Sequence, residues 1–142
     1  MGSGDAFGLG GNGNVKGLGC SVHSFDPTMG LAAHVHQPGG VWFQPTALSA
    51  TDALLPEPTD KTIAWDNGRD SEARKKRPWR AAKLSSIMRE LGHGRITILK
   101  LDVETYEWPA LLAALEEGVL ERVDQLLFEA HLFPGSEQAR AA

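Results

Sequence analysis

The chain has 142 residues, of which 42% are hydrophobic and 23% charged, so it is long enough for one folded domain and too polar for a bundle of membrane helices. Fourteen basic and eighteen acidic side chains give a formal net charge of -4, so we expect no nucleic-acid partner. A single cysteine excludes an intrachain disulfide framework.

The chain is expected to form a single domain over residues 1–142, with two irregular parts. Eight of the sixteen glycines fall within the first twenty residues, so residues 1–19 are predicted to be a glycine-rich loop or tail. Prolines, aspartates and a run of charges dominate residues 49–78, which predicts an irregular connection. Neither a signal peptide nor ~18–20 consecutive apolar residues occur in the given chain. We therefore expect no membrane segment here, and the sequence does not indicate a compartment.

Two strands are predicted in the first third of the chain. A β-prone run that includes Phe25 is followed by Asp26-Pro27, a pair that starts turns, so the first strand should end at Asp26. Residues 41–48 are again rich in β-branched and aromatic side chains, which predicts a second strand. Pro45 cannot donate a ladder hydrogen bond, so it should lie at a sheet edge or a bulge.

Two amphipathic helices follow. Apolar residues recur at the i, i+3, i+4, i+7 spacing near the end of residues 79–91, which predicts a helix that stops before Gly92. The same spacing recurs over residues 108–115. Pro109 suits the first turn of this second helix, and Gly118 suits the left-handed position after its last turn.

Two further strands alternate with these helices. Residues 96–103 are almost continuously apolar, as expected of a strand that is buried on both faces of a parallel sheet. Residues 123–132 are apolar near their centre and too few for a helix, which predicts the last strand. Because strands alternate with amphipathic helices, we predict an α/β fold with a mostly parallel sheet and flanking helices.

Polar side chains end three of the predicted strands, where ligands bind in open α/β sheets. Asp26 closes the first strand, Asp102 and Glu104 close the third, and Glu129 and His131 close the last. Side chains alternate along a strand, so each of the two pairs shares a face. If the last two strands are neighbours, four polar groups converge on one rim. Such a rim could bind a divalent cation or supply a general base, whereas the alternative is that these residues merely cap loops and helices.

The glycine-rich N-terminal part contains a G-x-G-x-x-G pattern that begins with Gly8 and Gly10. These glycines let a backbone approach a nucleotide closely, and Asp26 lies at the next strand end, where it could accept hydrogen bonds from ribose hydroxyls. A flexible glycine-rich terminus matches the same pattern, and this alternative stays open.

Three stretches of the chain together resemble a known family. They are GCSVHSFDPT at residues 19–28, ILKLDVE at residues 98–104 with YEW at residues 106–108, and QLLFEAHL at residues 125–132. In this order and spacing they resemble the methyltransferase-like proteins related to the FkbM group, which are S-adenosylmethionine-dependent methyltransferases with a Rossmann-like fold. The resemblance extends over residues 7–132, most of the chain.

The resemblance implies an enzyme that transfers a methyl group from S-adenosyl-L-methionine to a hydroxyl or amine acceptor of unknown identity. The donor would lie across the glycine loop at Gly8 and Gly10, with Asp26 at the acidic position that holds the ribose. A donor sulfonium needs no metal activation, so we expect no metal.

The same resemblance implies where transfer would take place. Asp102 would lie near the methyl-transfer end of the cleft. The base that removes the acceptor's proton would be Glu104, Glu129 or His131, and spacing alone does not rank these three.

The sequence departs from the family pattern near its N-terminus. Only six residues precede Phe7, and eight residues separate Gly10 from Gly19, so the first strand and first helix should be short or missing. This indicates either a truncated gene model or a degenerate relative, and the alternative function is an inactive methyltransferase-fold remnant that acts as a binding or interaction module. A nicotinamide-dependent oxidoreductase shares the glycine pattern but lacks an evident hydride-transfer constellation.

Overall fold

The computed structural model describes residues 20–29, 31–36, 41–55, 78–103 and 106–131. Within these ranges, eight short strands pair into three small sheets, and two α-helices pack beside them. The predicted glycine-rich residues 1–19, including Gly8 and Gly10, lie outside the described residues.

The first sheet contains the predicted first strand. Its members in chain order are β1 (His23–Phe25), β2 (His34–His36) and β3 (Val41–Gln44). Strand β3 is central, parallel to β1 and antiparallel to β2. Strand β1 ends at Phe25, one residue before the predicted end at Asp26, and a short 3₁₀ helix, Pro27–Met29, begins directly after Asp26.

The second sheet begins where the first one is interrupted by Pro45. Its members are β4 (Thr46–Leu48), β5 (Ala53–Leu55) and β6 (Trp79–Ala82). Strand β6 is central, parallel to β4 and antiparallel to β5. The single strand predicted over residues 41–48 is therefore two strands in different sheets, because a proline has no N–H with which to continue the ladder.

The boundaries between residues 49 and 91 differ from the predicted ones. Strand β5 lies near the start of the segment 49–78 that was expected to be irregular, and residues 56–77 lie outside the described residues. Residues 79–82 form β6 instead of the first turn of a helix, because they pair with strands on both sides. The helix that follows, α1 (Leu84–Leu91), ends at Gly92 as predicted, with φ at 69°.

The third sheet consists of two parallel strands, β7 (Ile96–Leu101) and β8 (Val123–Phe128). Between them the chain forms α2 (Glu107–Glu116) and the 3₁₀ helix Val119–Arg122, separated by Gly118 with φ at 67°. This strand–helix–strand unit matches the predicted order. Strand β7 is buried on one face, through Leu99 and Leu101, whereas Ile98 and Lys100 are only half-buried. Strand β7 was expected to be buried on both faces, and it is buried on only one of them.

One hydrophobic cluster joins the three sheets. Leu99 and Leu101 of β7 have no exposed surface, and they pack in the same cluster as Phe25 of β1 and Leu48 of β4. Helix α1 adds Leu84, Ile87 and Met88, and helix α2 adds Ala110 and Ala114. The apolar stripe of α1 therefore faces the core, as its spacing predicts. The stripe predicted over residues 108–115 does not, because α2 turns Glu107, Ala110 and Ala114 inward and leaves Leu112 and Leu115 exposed.

The α/β class is confirmed, and the mostly parallel sheet only in part. Three of the five strand pairings in the described ranges are parallel and two are antiparallel. The strand and helix with which the family fold begins, predicted to be short or missing in this chain, would fall within residues 1–19, outside the described residues.

As far as the chain is described, none of its helices combines the length and the apolar character that crossing a bilayer requires.

Candidate active site

The carboxyl ends of β7 and β8 lie side by side. In the parallel register Leu101 is the partner of Phe128, so the next residues, Asp102 and Glu129, leave the sheet at neighbouring positions. The Glu129 N–H donates to the Leu101 carbonyl at 3.0 Å, which continues the ladder by one bond. The sheet thus presents two carboxylates at one edge, as the prediction of neighbouring strands required.

His131 lies between these carboxylates. Its Nε2 is 3.9 Å from Asp102 Oδ1 and 3.7 Å from Glu129 Oε1. The side chains of His131 and Asp102 are 15% and 23% exposed, whereas that of Glu129 is 66% exposed. The structure therefore brings together three of the four residues predicted at this rim, and Glu104 lies outside the described residues.

A fourth group, Glu107, completes the cluster and was not among the predicted site residues. It is the first residue of α2 and has no exposed surface. Its Oε1 accepts a hydrogen bond from the His131 backbone N–H at 2.8 Å and lies 3.2 Å from the His131 ring Nδ1. Glu107, Ala110 and Ala114 are the buried residues of α2, at i, i+3 and i+7. A carboxylate on the apolar face of a helix is the sequence signal that could have identified it.

Trp108, the residue after Glu107, also contacts the end of β8 and the residues that follow it. Its Nε1–H donates to the His131 carbonyl at 2.8 Å, and its ring meets the Phe128 ring edge-on with centroids 6.2 Å apart. The backbone of His131 is therefore bonded at both its N–H and its carbonyl to adjacent residues of α2.

Asp26 directly follows β1 in the first sheet, where its N–H donates to the Gln44 carbonyl at 3.1 Å, and the described hydrogen bonds of its carboxylate are local. It is 6% exposed, and its Oδ1 accepts the Thr28 N–H at 2.7 Å and the Thr28 hydroxyl at 2.6 Å. These bonds satisfy the start of the 3₁₀ helix Pro27–Met29, which corresponds to the loop-capping alternative considered for this residue.

The rim group, Asp102, Glu129 and His131, supports two kinds of chemistry. One ligand atom from each residue lies within 4.8 Å of the others, and oxygen together with imidazole nitrogen is a donor set that divalent cations accept. The same imidazole, flanked by carboxylates at the edge of a parallel sheet, is also suited to accept a proton from a bound substrate.

The family of the chain follows from comparison with known proteins. Residues 15–141 match the Methyltransferase FkbM domain family, and the chain belongs to this family. The resemblance seen in the sequence is thereby confirmed, and the family points to an enzyme that transfers methyl groups.

Two curated proteins show what the chain is similar to. It is 35% identical over 120 residues to the human "probable methyltransferase-like protein 24". The aligned residues are 84% of this chain and 28% of that protein. The rat protein of the same name is 37% identical over 120 residues, 84% of this chain and 29% of its own length. The chain thus spans less than a third of the length of these relatives. No solved structure matches it.

Proposed function

We propose that the chain is a methyltransferase domain with a Rossmann-like fold that uses S-adenosyl-L-methionine and transfers its methyl group to a hydroxyl or amine. The observation that carries this proposal is the meeting of Asp102, Glu129 and His131 at the carboxyl ends of two parallel strands. Ligands bind at that edge of α/β sheets, and the family supplies the reaction type.

The rim group would act on the acceptor. His131 accepts the acceptor's proton at Nε2, while Asp102 and Glu129 orient the hydroxyl or amine by accepting its hydrogen bonds. Glu104 remains a further candidate for the base. S-adenosyl-L-methionine, when bound, supplies an electrophilic methyl group on a sulfonium, so the protein's task is alignment and proton removal.

The proposed donor site is formed by Gly8, Gly10 and Asp26, of which the structure describes Asp26. Its position at the carboxyl end of a parallel strand fits a ribose-binding carboxylate. The two bonds from Thr28 fix the orientation of that carboxylate before any ligand arrives. Such preorganisation lowers the entropic cost of binding.

Calorimetric titration of the purified chain with S-adenosylmethionine, and separately with its demethylated product, tests the donor half of the proposal. We expect binding that is lost in Asp26→Ala, and weakened in Asp102→Ala because Asp102 would lie near the methyl-transfer end of the cleft, where donor and acceptor meet. Asp124→Ala is the matched control, because Asp124 is a carboxylate at the opposite end of β8, paired with Arg95. A titration with a nicotinamide dinucleotide should give no heat.

A folded chain that binds neither the donor nor its product would overturn the proposal. That outcome would instead favour a methyltransferase-fold remnant that acts by protein interaction.

A further inference from the structure

Glu107 is a buried carboxylate for which the proposed transfer gives no direct use. We propose that Glu107 is a positioning residue, which fixes the tautomer and orientation of His131 so that Nε2 is the proton-accepting nitrogen at the rim. This inference rests on the proposed function and goes beyond it by assigning a role to a residue outside the rim group.

The direction of the hydrogen bond follows from the two contacts of one oxygen. Glu107 Oε1 accepts the His131 backbone N–H at 2.8 Å, so this atom is an acceptor. The same atom lies 3.2 Å from the ring Nδ1, and because an ionised carboxylate can only accept, Nδ1 donates its own N–H in this contact. A neutral imidazole carries one N–H, and its accepting lone pair is then on Nε2.

Nε2 is the ring nitrogen that belongs to the rim. It lies 3.9 Å from Asp102 Oδ1 and 3.7 Å from Glu129 Oε1, on the side opposite Glu107. Together with the Trp108 Nε1–H bond to the His131 carbonyl, the bonds from Glu107 hold His131 at its backbone N–H, its carbonyl and its ring. These bonds fix one orientation of the ring, in which the Nε2 lone pair faces the rim. A methyl-acceptor molecule bound at the rim would meet that lone pair.

Packing alone does not explain a glutamate at this position. Glu107 has no exposed surface, and within the described residues its Oε2 is buried without a hydrogen-bond partner. Burial of a carboxylate is unfavourable unless both oxygens are satisfied, whereas the neighbouring buried positions of α2 are alanines. A side chain that destabilises the fold and holds an imidazole is typical of a functional pair.

The carboxylate also fits the charge that develops during transfer. As the acceptor's O–H or N–H bond breaks, an N–H bond forms at Nε2 and the ring becomes a cation with N–H groups on both sides. The acceptor atom bonds the methyl carbon, and the electron pair of the broken carbon–sulfur bond stays on the donor's sulfur. Glu107, on the far side of the ring, stabilises this cation, and the proton then passes to water.

Nitrogen NMR of the chain labelled with ¹⁵N-histidine tests the assignment directly. The wild-type His131 signals, identified by their loss in His131→Gln, should show the Nδ1–H tautomer at a pH where the ring is neutral. Glu107→Met, which keeps the size of the side chain and removes the acceptor, should move His131 to the Nε2–H form or to a mixture. Glu107→Gln, whose amide oxygen still accepts, should restore the Nδ1–H form.

Two results would overturn the proposal. One is an Nε2–H tautomer in the wild-type chain, a result that needs no variant to fold. The other is an unchanged Nδ1–H tautomer in a Glu107→Met chain that is folded by circular dichroism. Calorimetry with the demethylated donor product on the same samples separates the two ideas: absent binding with the expected tautomers contradicts the proposed function alone, and normal binding with the wrong tautomer contradicts the role of Glu107 alone.

Discussion

The ring of His23 on β1 is held in a partly apolar setting beside a second histidine. Its Nδ1 is buried without a hydrogen-bond partner in the described ranges, and the ring of His93 meets it edge-on with centroids 4.8 Å apart. Burial lowers the pKa of His23 below 6.5, and the charge of His93 lowers it further. The folded chain therefore disfavours protonation of His23, whereas the unfolded chain allows it readily.

This difference predicts that the chain loses stability in mild acid. As the pH decreases below 6.5, His23 becomes protonated in the unfolded state before it does so in the folded state. The free energy of unfolding therefore decreases until the folded state is protonated as well. Urea unfolding at a series of pH values between ~8 and ~5 should show this fall in wild type and a smaller fall in His23→Phe. His34→Phe, at an exposed ring, is the control and should keep the wild-type dependence. An identical slope in His23→Phe would contradict the prediction.

Helix α1 is anchored at its start by a side chain from outside the helix. Asp52 Oδ1 accepts the N–H of Lys83, the N-cap residue, at 2.9 Å, and Oδ2 accepts the Ser86 hydroxyl at 2.6 Å. The Ser86 bond, followed by the Lys83 bond, holds the pKa of Asp52 below 3.8. A carboxylate at this end also complements the helix dipole.

Asp52→Ala should therefore destabilise the chain by roughly 1 kcal/mol at neutral pH, the size of a lost helix cap. A group with a lowered pKa contributes its full stability above 3.8 and loses it as the pH falls through the folded-state value. The difference between Asp52→Ala and wild type in urea unfolding should accordingly shrink in strong acid. An equal difference at both ends of the pH range would show that the carboxylate charge is not involved.

The other end of α1 depends on Gly92. Its φ of 69° is left-handed, the Gly92 N–H donates to Arg89 at 3.2 Å, and the His93 N–H donates to Met88 at 2.8 Å, which together form a Schellman motif. Gly92→Ala should cost about 1 kcal/mol because a Cβ is strained at this φ, although no atom lies within 4 Å of it. Gly94→Ala, equally open and without a left-handed φ, should change stability little. Equal unfolding midpoints for the two variants would refute the argument.

Local sequence signals predicted the elements that strong periodicity or punctuation defines. The strand β7, the helix α2 and the stop at Gly92 are all found, and β1 ends one residue before the predicted Asp26. The predicted apolar face of α2 is wrong, since Leu112 and Leu115 are exposed. The missed elements, β2, β5 and β6, have three or four residues each, and their strand conformation depends on partners elsewhere in the chain. A window of local sequence contains no information about those partners.

The rim could be predicted because strand ends in an α/β fold share one edge, a rule that needs no side-chain detail. Glu107 could not be found in the same way, since it belongs to a helix start and its role appears only through contact with a residue 24 positions away. The roles of Glu104, Gly8 and Gly10 remain predictions, as these residues lie outside the described ranges.

The molecule as a whole depends on one core. Leu99, fully buried at the middle of β7, is expected to be among its most sensitive positions. Leu99→Ala should lower the free energy of unfolding by about 3 kcal/mol, since it removes buried methyl groups and leaves a cavity. Leu54→Ala, at a strand leucine that is 69% exposed, is the matched control and should stay within ~0.5 kcal/mol of wild type. Chemical denaturation measures both, and similar losses would contradict the described burial.

The joining of three small sheets in a single cluster has a consequence for native-state fluctuations. Sheets of two or three short strands are unstable alone, and each of these contributes side chains to the same packed centre. Opening one sheet would expose the neighbours' apolar surface to water, so partial openings should be rare. In hydrogen–deuterium exchange, the slowest amides of β3, β6 and β7 should therefore share one protection level and respond in parallel to denaturant, as members of one cooperative unit.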